Sequence, residues 1–183
     1  MTDLLRLFLQ IALLKRGPQD LPASPTLLAI TATTYLAVNY LVYSLLPDIT
    51  QPWRQHLISE VVYTLVSLGL ILRLAGKPER YLQTATAIFG YLIVLTPLTL
   101  CAGWLLDRYK AAPTVQFPVA LFGLLLFVWM VAVGQQVFKA ALEVSTLASV
   151  VLIILWIFTG QLLILSLFPV SPATPETVPF STS

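Results

Sequence analysis

Charge is the scarcest feature of this chain. Of its 183 residues only 10% are Asp, Glu, Lys or Arg, whereas soluble domains carry about 25%. A shell so poor in charge cannot keep a chain that is 58% hydrophobic in water. The mean hydropathy of +0.89 agrees, and the expected solvent is lipid. The net charge is only +2, and the basic residues form no stripe, which argues against a nucleic-acid partner. A single cysteine, Cys101, excludes an intramolecular disulfide and a Cys-rich metal site; within an apolar run it reads as a small buried packing residue. A single histidine, His56, excludes bis-histidine haem ligation within one chain. Phosphate-loop, HExxH and GxSxG patterns are absent, so no enzyme chemistry and no cofactor are expected. No long repeat suggests an inverted-repeat transporter.

Long apolar runs are what the chain has instead. A bilayer core of about 30 Å needs about 20 helical residues. Five stretches meet that length: about Thr26 to Leu46, Trp53 to Leu74, Tyr81 to Leu106, Pro118 to Phe138 and Ser145 to Phe168. Proline or charge separates most of them, in GPQDLPASP, PDITQP, AGKPER and DRYKAAPTVQFP, as expected at helix ends. The link KAALEVS has no breaker, so a tight hairpin and a continuous bent helix both remain open there. Whole turns are apolar on every face, without the strict alternation of membrane strands, and helices satisfy their own backbone in lipid. The fold class is therefore all-α, a polytopic bundle of five transmembrane helices. Residues 3–16 read as a short helix near the membrane surface, too short to span. Lys15 and Arg16 follow its apolar run, the wrong flank for a cleaved signal. The expected organisation is an N-terminal helix and turn over 1–24, a transmembrane domain over 25–168, and a flexible Pro/Ser/Thr-rich tail over 169–183.

Basic residues set the expected direction. Arg6, Lys15, Arg16, Arg73, Lys77, Arg80 and Lys139 fall on one side, and Arg54, Arg108 and Lys110 on the other. The positive-inside bias puts the N-terminus in the cytoplasm and the C-terminus outside.

Polar residues inside the spans are the candidate site. His56, Glu60, Tyr63 and Ser67 are spaced by four, three and four, which places them on one helical face. A charge at span centre costs about 2.5–3.5 kcal/mol on insertion scales, so Glu60 is expected to face protein or water. Counting from the span ends puts Asn39, Glu60 and Gln161 in one layer, an expected interhelical hydrogen-bond network in the outer half. Its plain reading is packing glue; its functional reading is a ligand or proton site. His56 and Glu60 have the i, i+4 spacing of two metal ligands, but a site needs three or four. Nothing in the sequence brings Asp48 or Asp107 to them, so no metal is expected. Small residues recur at fourth positions in Ala29–Thr33–Ala37, Thr86–Gly90 and Ala141–Ser145–Ser149, faces that let helices approach closely. Gln135 and Gln136 read as an interfacial polar cluster with Lys139 and Glu143.

The stretches RYLQTATAIFGYLIVLTPLTL, FVWMVAVGQQVFKAAL and LLKRGPQDLPASPTLLAI, with five spans and a short link before the last, resemble the Yip family over about residues 10–168. The resemblance implies a small integral membrane protein; eukaryotic members of that family interact with Rab-type GTPases in vesicle traffic. Their long hydrophilic cytoplasmic domain is not found in this chain, and no functional residue is carried over from them. The likeness to bacterial members implies the inner membrane, with a periplasmic C-terminus. The expected role is a scaffold or accessory subunit that packs against membrane lipids and other integral membrane proteins or a second copy of itself. The alternative is a small transporter or channel component using the Asn39–Glu60–Gln161 layer.

Overall fold

In the computed structural model, residues 2–45, 53–109 and 112–168 are described, and their order is helical throughout. Helix α1 spans Thr2–Ala12, α2 Pro25–Leu45, α3 Trp53–Leu74, α4 Tyr81–Arg108, α5 Pro113–Leu142 and α6 Thr146–Leu167. Short 3-10 turns at Pro18–Asp20 and Pro78–Arg80 lead into α2 and α4. Helices α2 to α6 are long and apolar enough to cross a membrane, so the chain is a multi-pass membrane protein, all-helical in its described residues. The expected tail over 169–183 lies outside the described residues.

Helix α4 is the axis of the bundle. Its residues 84–91 are buried on every side, and small side chains make this possible: Thr84, Ala85, Thr86 and Ala87 leave room for neighbours. Helices α1, α2, α3 and α5 pack on it, and α6 packs on α5 and α3. A helix apolar all round belongs inside a protein or in lipid. Here α4 takes the first place, while α5 and α6 turn wide faces outward, among them Phe117, Leu121, Leu124, Leu155, Phe158 and Leu162. Cys101, expected to be a buried packing residue, is exposed; it lies on α4 beyond the stretch buried on every side.

One boundary differs from the expected one, and one that the sequence leaves open is decided. Helix α5 begins at Pro113, five residues before Pro118. Proline at the first helical position costs no hydrogen bond, since that N–H would be unpaired anyway; Pro118 is then carried inside the helix. The unbroken link KAALEVS is a tight hairpin. Glu143 takes the left-handed conformation at φ 57° and its N–H bonds back to the Lys139 carbonyl, 2.9 Å. The Ser145 hydroxyl then caps α6 by accepting from the Ala148 N–H.

The N-terminal segment is built into the same core. Ile11, Ala12 and Leu21 are buried with Leu68, Ile88 and Phe138 in one apolar cluster. Helix α1 ends in a Schellman turn: the Lys15 N–H bonds to the Gln10 carbonyl and the Leu14 N–H to the Ile11 carbonyl, with Leu14 at φ 61° where glycine is usual. The reason α1 can enter is Gly90, where a β-carbon would stand 2.2 Å from the Phe8 ring. Gly90 is nine residues beyond Tyr81, about 14 Å along α4 at 1.5 Å per residue. Leu21, in contrast, meets Gln83 near the start of α4. Helix α1 therefore leans into the bundle, wedged against α4, where a flat placement on a surface was expected.

Candidate functional site

The polar face of α3 divides between two neighbours. Glu60 turns toward α2: the Tyr35 hydroxyl donates to Glu60 Oε1 at 2.9 Å. Tyr35 is itself buried, with its ring 5.5 Å from that of Phe89 on α4. Glu60 is seven residues past Trp53, about 10 Å along α3. A carboxyl at that depth needs a donor, and Tyr35 supplies one.

Tyr63 and Ser67 turn instead toward α6. The Tyr63 hydroxyl donates to the Trp156 carbonyl at 2.7 Å, and the two rings stack with centroids 5.6 Å apart. Trp156 Nε1 donates to Ser67 Oγ at 2.7 Å, and Ser67 donates to the Tyr63 carbonyl at 2.6 Å. Gly160 makes the approach possible, since a β-carbon there would stand 2.8 Å from the Tyr63 ring. His56 packs 4.8 Å from the Phe168 ring, and its Nε2 is buried without a partner among the described residues.

The expected layer of Asn39, Glu60 and Gln161 does not form a hydrogen-bond network. Asn39 is buried, but its Nδ2 donates to the Tyr35 carbonyl of its own helix, 2.9 Å. Gln161 is exposed and makes no hydrogen bond with any described residue. Counting depth gave no information on the direction in which each side chain points. Tyr35, one turn deeper than Asn39, has the reach to meet Glu60, and α6 turns Gln161 away from α3. Tyr35 is the residue the sequence reading missed; its i, i+4 spacing from Asn39 is the signal that was available.

A groove of about 590 Å³ between α3 and α6 is lined by Tyr63, Ser67, Trp156 and Thr159 under a rim of leucines, and does not include Glu60. The carboxyl–phenol pair and this groove are therefore separate features. Asp48 lies outside the described residues, and among those described no three His, Cys, Asp or Glu side chains cluster as metal ligands would.

The opposite end of the bundle, which carries Lys77, Arg80 and Lys139, closes on itself. Glu143 in the α5–α6 hairpin accepts from Lys77 and from Arg80, and those two cations hold its carboxyl below the usual carboxylate range. Arg80 also donates to the Ala140 carbonyl at 2.9 Å, and Lys139 to Thr146 Oγ1 at 2.8 Å. Side chains of α4 and α5 meet the carbonyls that the N-terminal turn leaves unpaired. Trp129 Nε1 donates to Ala12, 2.8 Å, Gln136 to Arg16, 3.1 Å, and Gln83 to Leu21, 2.8 Å. Irregular backbone at membrane depth persists only where protein satisfies it. Gln135 bonds Ser149 Oγ at 2.8 Å, tying α5 to α6. The two glutamines thus have separate structural tasks.

No family model, no curated protein and no solved structure matches the chain.

Proposed function

We propose that this chain is an integral membrane scaffold or accessory subunit, without chemistry of its own, that packs against other membrane proteins or a second copy of itself. The observation that carries this reading is Gln161. Its amide is exposed on the outward side of α6, six residues before Leu167 and so about 9 Å inside the span. Beside it, Thr159 folds its hydroxyl onto the Leu155 carbonyl; Gln161 has no such partner among the described residues. An amide facing hydrocarbon is stabilised by a partner helix, at about 0.6–2 kcal/mol per interhelical hydrogen bond. In this reading the basic end faces the cytoplasm of a bacterial inner membrane, the N-terminus is cytoplasmic and the C-terminus periplasmic. A Yip-like place in that membrane, without a nucleic-acid partner, is consistent with it.

Extraction in mild detergent followed by mass determination tests the proposal. The wild-type chain is expected with a bound membrane protein or as an oligomer, and Gln161→Leu as a monomer with unchanged melting. A monodisperse wild-type monomer would sink it. The second reading, a small transporter component, is favoured by the Tyr35–Glu60 pair. It requires the purified chain to move ions into liposomes, and Glu60→Gln to stop that movement at normal protein levels.

A further inference from the structure

A second groove, of about 540 Å³, opens where α3 ends beside the start of α4. Its apolar wall is Leu65, Val66 and Leu70, and its floor is Gly69. Gly69 leaves that floor bare: a β-carbon there would make ordinary contact with the Tyr81 ring, at 3.6 Å, and a long side chain would project into the trough. At its mouth stand Arg73 and Tyr81.

The polar groups at that mouth differ from their neighbours. Lys77 and Arg80 are engaged by Glu143, and Lys139 by Thr146. Arg73 is exposed and forms no hydrogen bond or ion pair with any described residue, and the Tyr81 hydroxyl forms no hydrogen bond with one either. Arg73 lies in the last turn of α3, one residue from the end of the span, at the level where a phospholipid carries its phosphate. An apolar trough that runs from there toward mid-membrane and ends in a guanidinium complements one molecule on both counts: a hydrocarbon chain and an anionic headgroup. The larger α3–α6 groove has no cation among its lining residues.

We propose that this groove binds one anionic phospholipid, with its phosphate on Arg73 and the Tyr81 hydroxyl and one acyl chain lying over Gly69 between Leu65 and Leu70. The site is independent of whether the chain acts as a scaffold or a transporter component.

The full chain, purified in phosphatidylcholine nanodiscs and titrated with phosphatidylglycerol, gives the test by native mass spectrometry. One phosphatidylglycerol should be retained in preference to phosphatidylcholine. Arg73→Gln should weaken retention about fivefold, the effect of about one basic residue at an anionic surface, and Gly69→Leu should abolish the preference by filling the trough. Equal retention of the two lipids, or an unchanged preference in both variants, overturns the proposal. So does full competition by inorganic phosphate, which would mark an anion site without a lipid chain. A readout on the unaltered protein guards against misfolded variants: phosphatidylglycerol with a photoreactive acyl chain should label residues 65–70. Labelling spread evenly over the outward faces of α5 and α6 overturns the assignment.

Discussion

The two ends of the bundle use their polar residues differently. At the basic end, side chains close the structure on itself: Glu143 clasps Lys77 and Arg80, while Gln83, Trp129 and Gln136 hold the carbonyls of the N-terminal segment. Trp156 ties α6 to α3 through Ser67, past mid-span on the basic side, and toward the other end Tyr35 ties α2 to α3 through Glu60. There, polar groups remain without internal partners among the described residues: His56 Nε2, and the outward Gln161. Polar residues in membrane spans are expensive and are kept where they hold helices together or act. Most polar groups of the basic end serve the first role, but the Thr86 hydroxyl, Arg73 and the Tyr81 hydroxyl have no partner among the described residues. Both ends thus have groups left over: Arg73 and Tyr81 flank the lipid groove, and at the other end a partner or ligand should be sought at His56 and Gln161.

The largest effect should come from Gly90→Leu, which breaks the closed end. The new side chain would occupy the position of the Phe8 ring, and overpacking of this kind costs about 1–3 kcal/mol. Hydrogen exchange should rise across α1 and the turn at Pro18–Asp20, while α2 and the outer half of α3 keep their protection. Loss of protection everywhere would mean the two ends are one cooperative unit. Glu60→Leu probes the other end and should cost less, about 1–2 kcal/mol, because it leaves the Tyr35 hydroxyl buried without an acceptor. Glu60→Gln keeps an acceptor oxygen for Tyr35 and should recover most of the melting temperature. If Leu and Gln variants melt alike, the bond to Tyr35 contributes nothing.

How much of this was legible in the sequence follows from what lipid does to helix patterns. Span existence was plain, and α3 runs over the expected Trp53–Leu74, because length and hydropathy alone decide whether a helix can cross a bilayer. Rotation was not legible. A helix apolar on every face has no periodic signal to say which side meets protein, so depth could be counted for Asn39 and Gln161 while their direction could not. The small-residue pair Thr86–Gly90 did announce a close approach, but not that Phe8 would fill it. The α1 wedge was missed because Leu14 adopts a left-handed turn where sequence rules look for glycine, and because its carbonyls are met by Trp129 and Gln136, more than a hundred residues away.

The smallest effect expected is a pH dependence confined to the basic end. Lys77 and Arg80 lower the Glu143 carboxyl from its ordinary value of 4.5. A group whose folded-state value is depressed stabilises the fold above its unfolded value, and that contribution fades as pH falls through the lower, folded-state value. The clasp should therefore hold at neutral pH and loosen only below about pH 4.5. Glu143 is well exposed to solvent, and surface ion pairs are weak and screened by salt, so the change should be read locally. Hydrogen exchange at the α5–α6 hairpin should accelerate on acidification, less so in high salt, and Glu143→Gln should remove the dependence. The Tyr35–Glu60 region should not follow the same salt response, since it lies away from the screened surface. If acid loosens the hairpin of Glu143→Gln as much as that of the wild type, the clasp is not what ties the hairpin to the α3–α4 link.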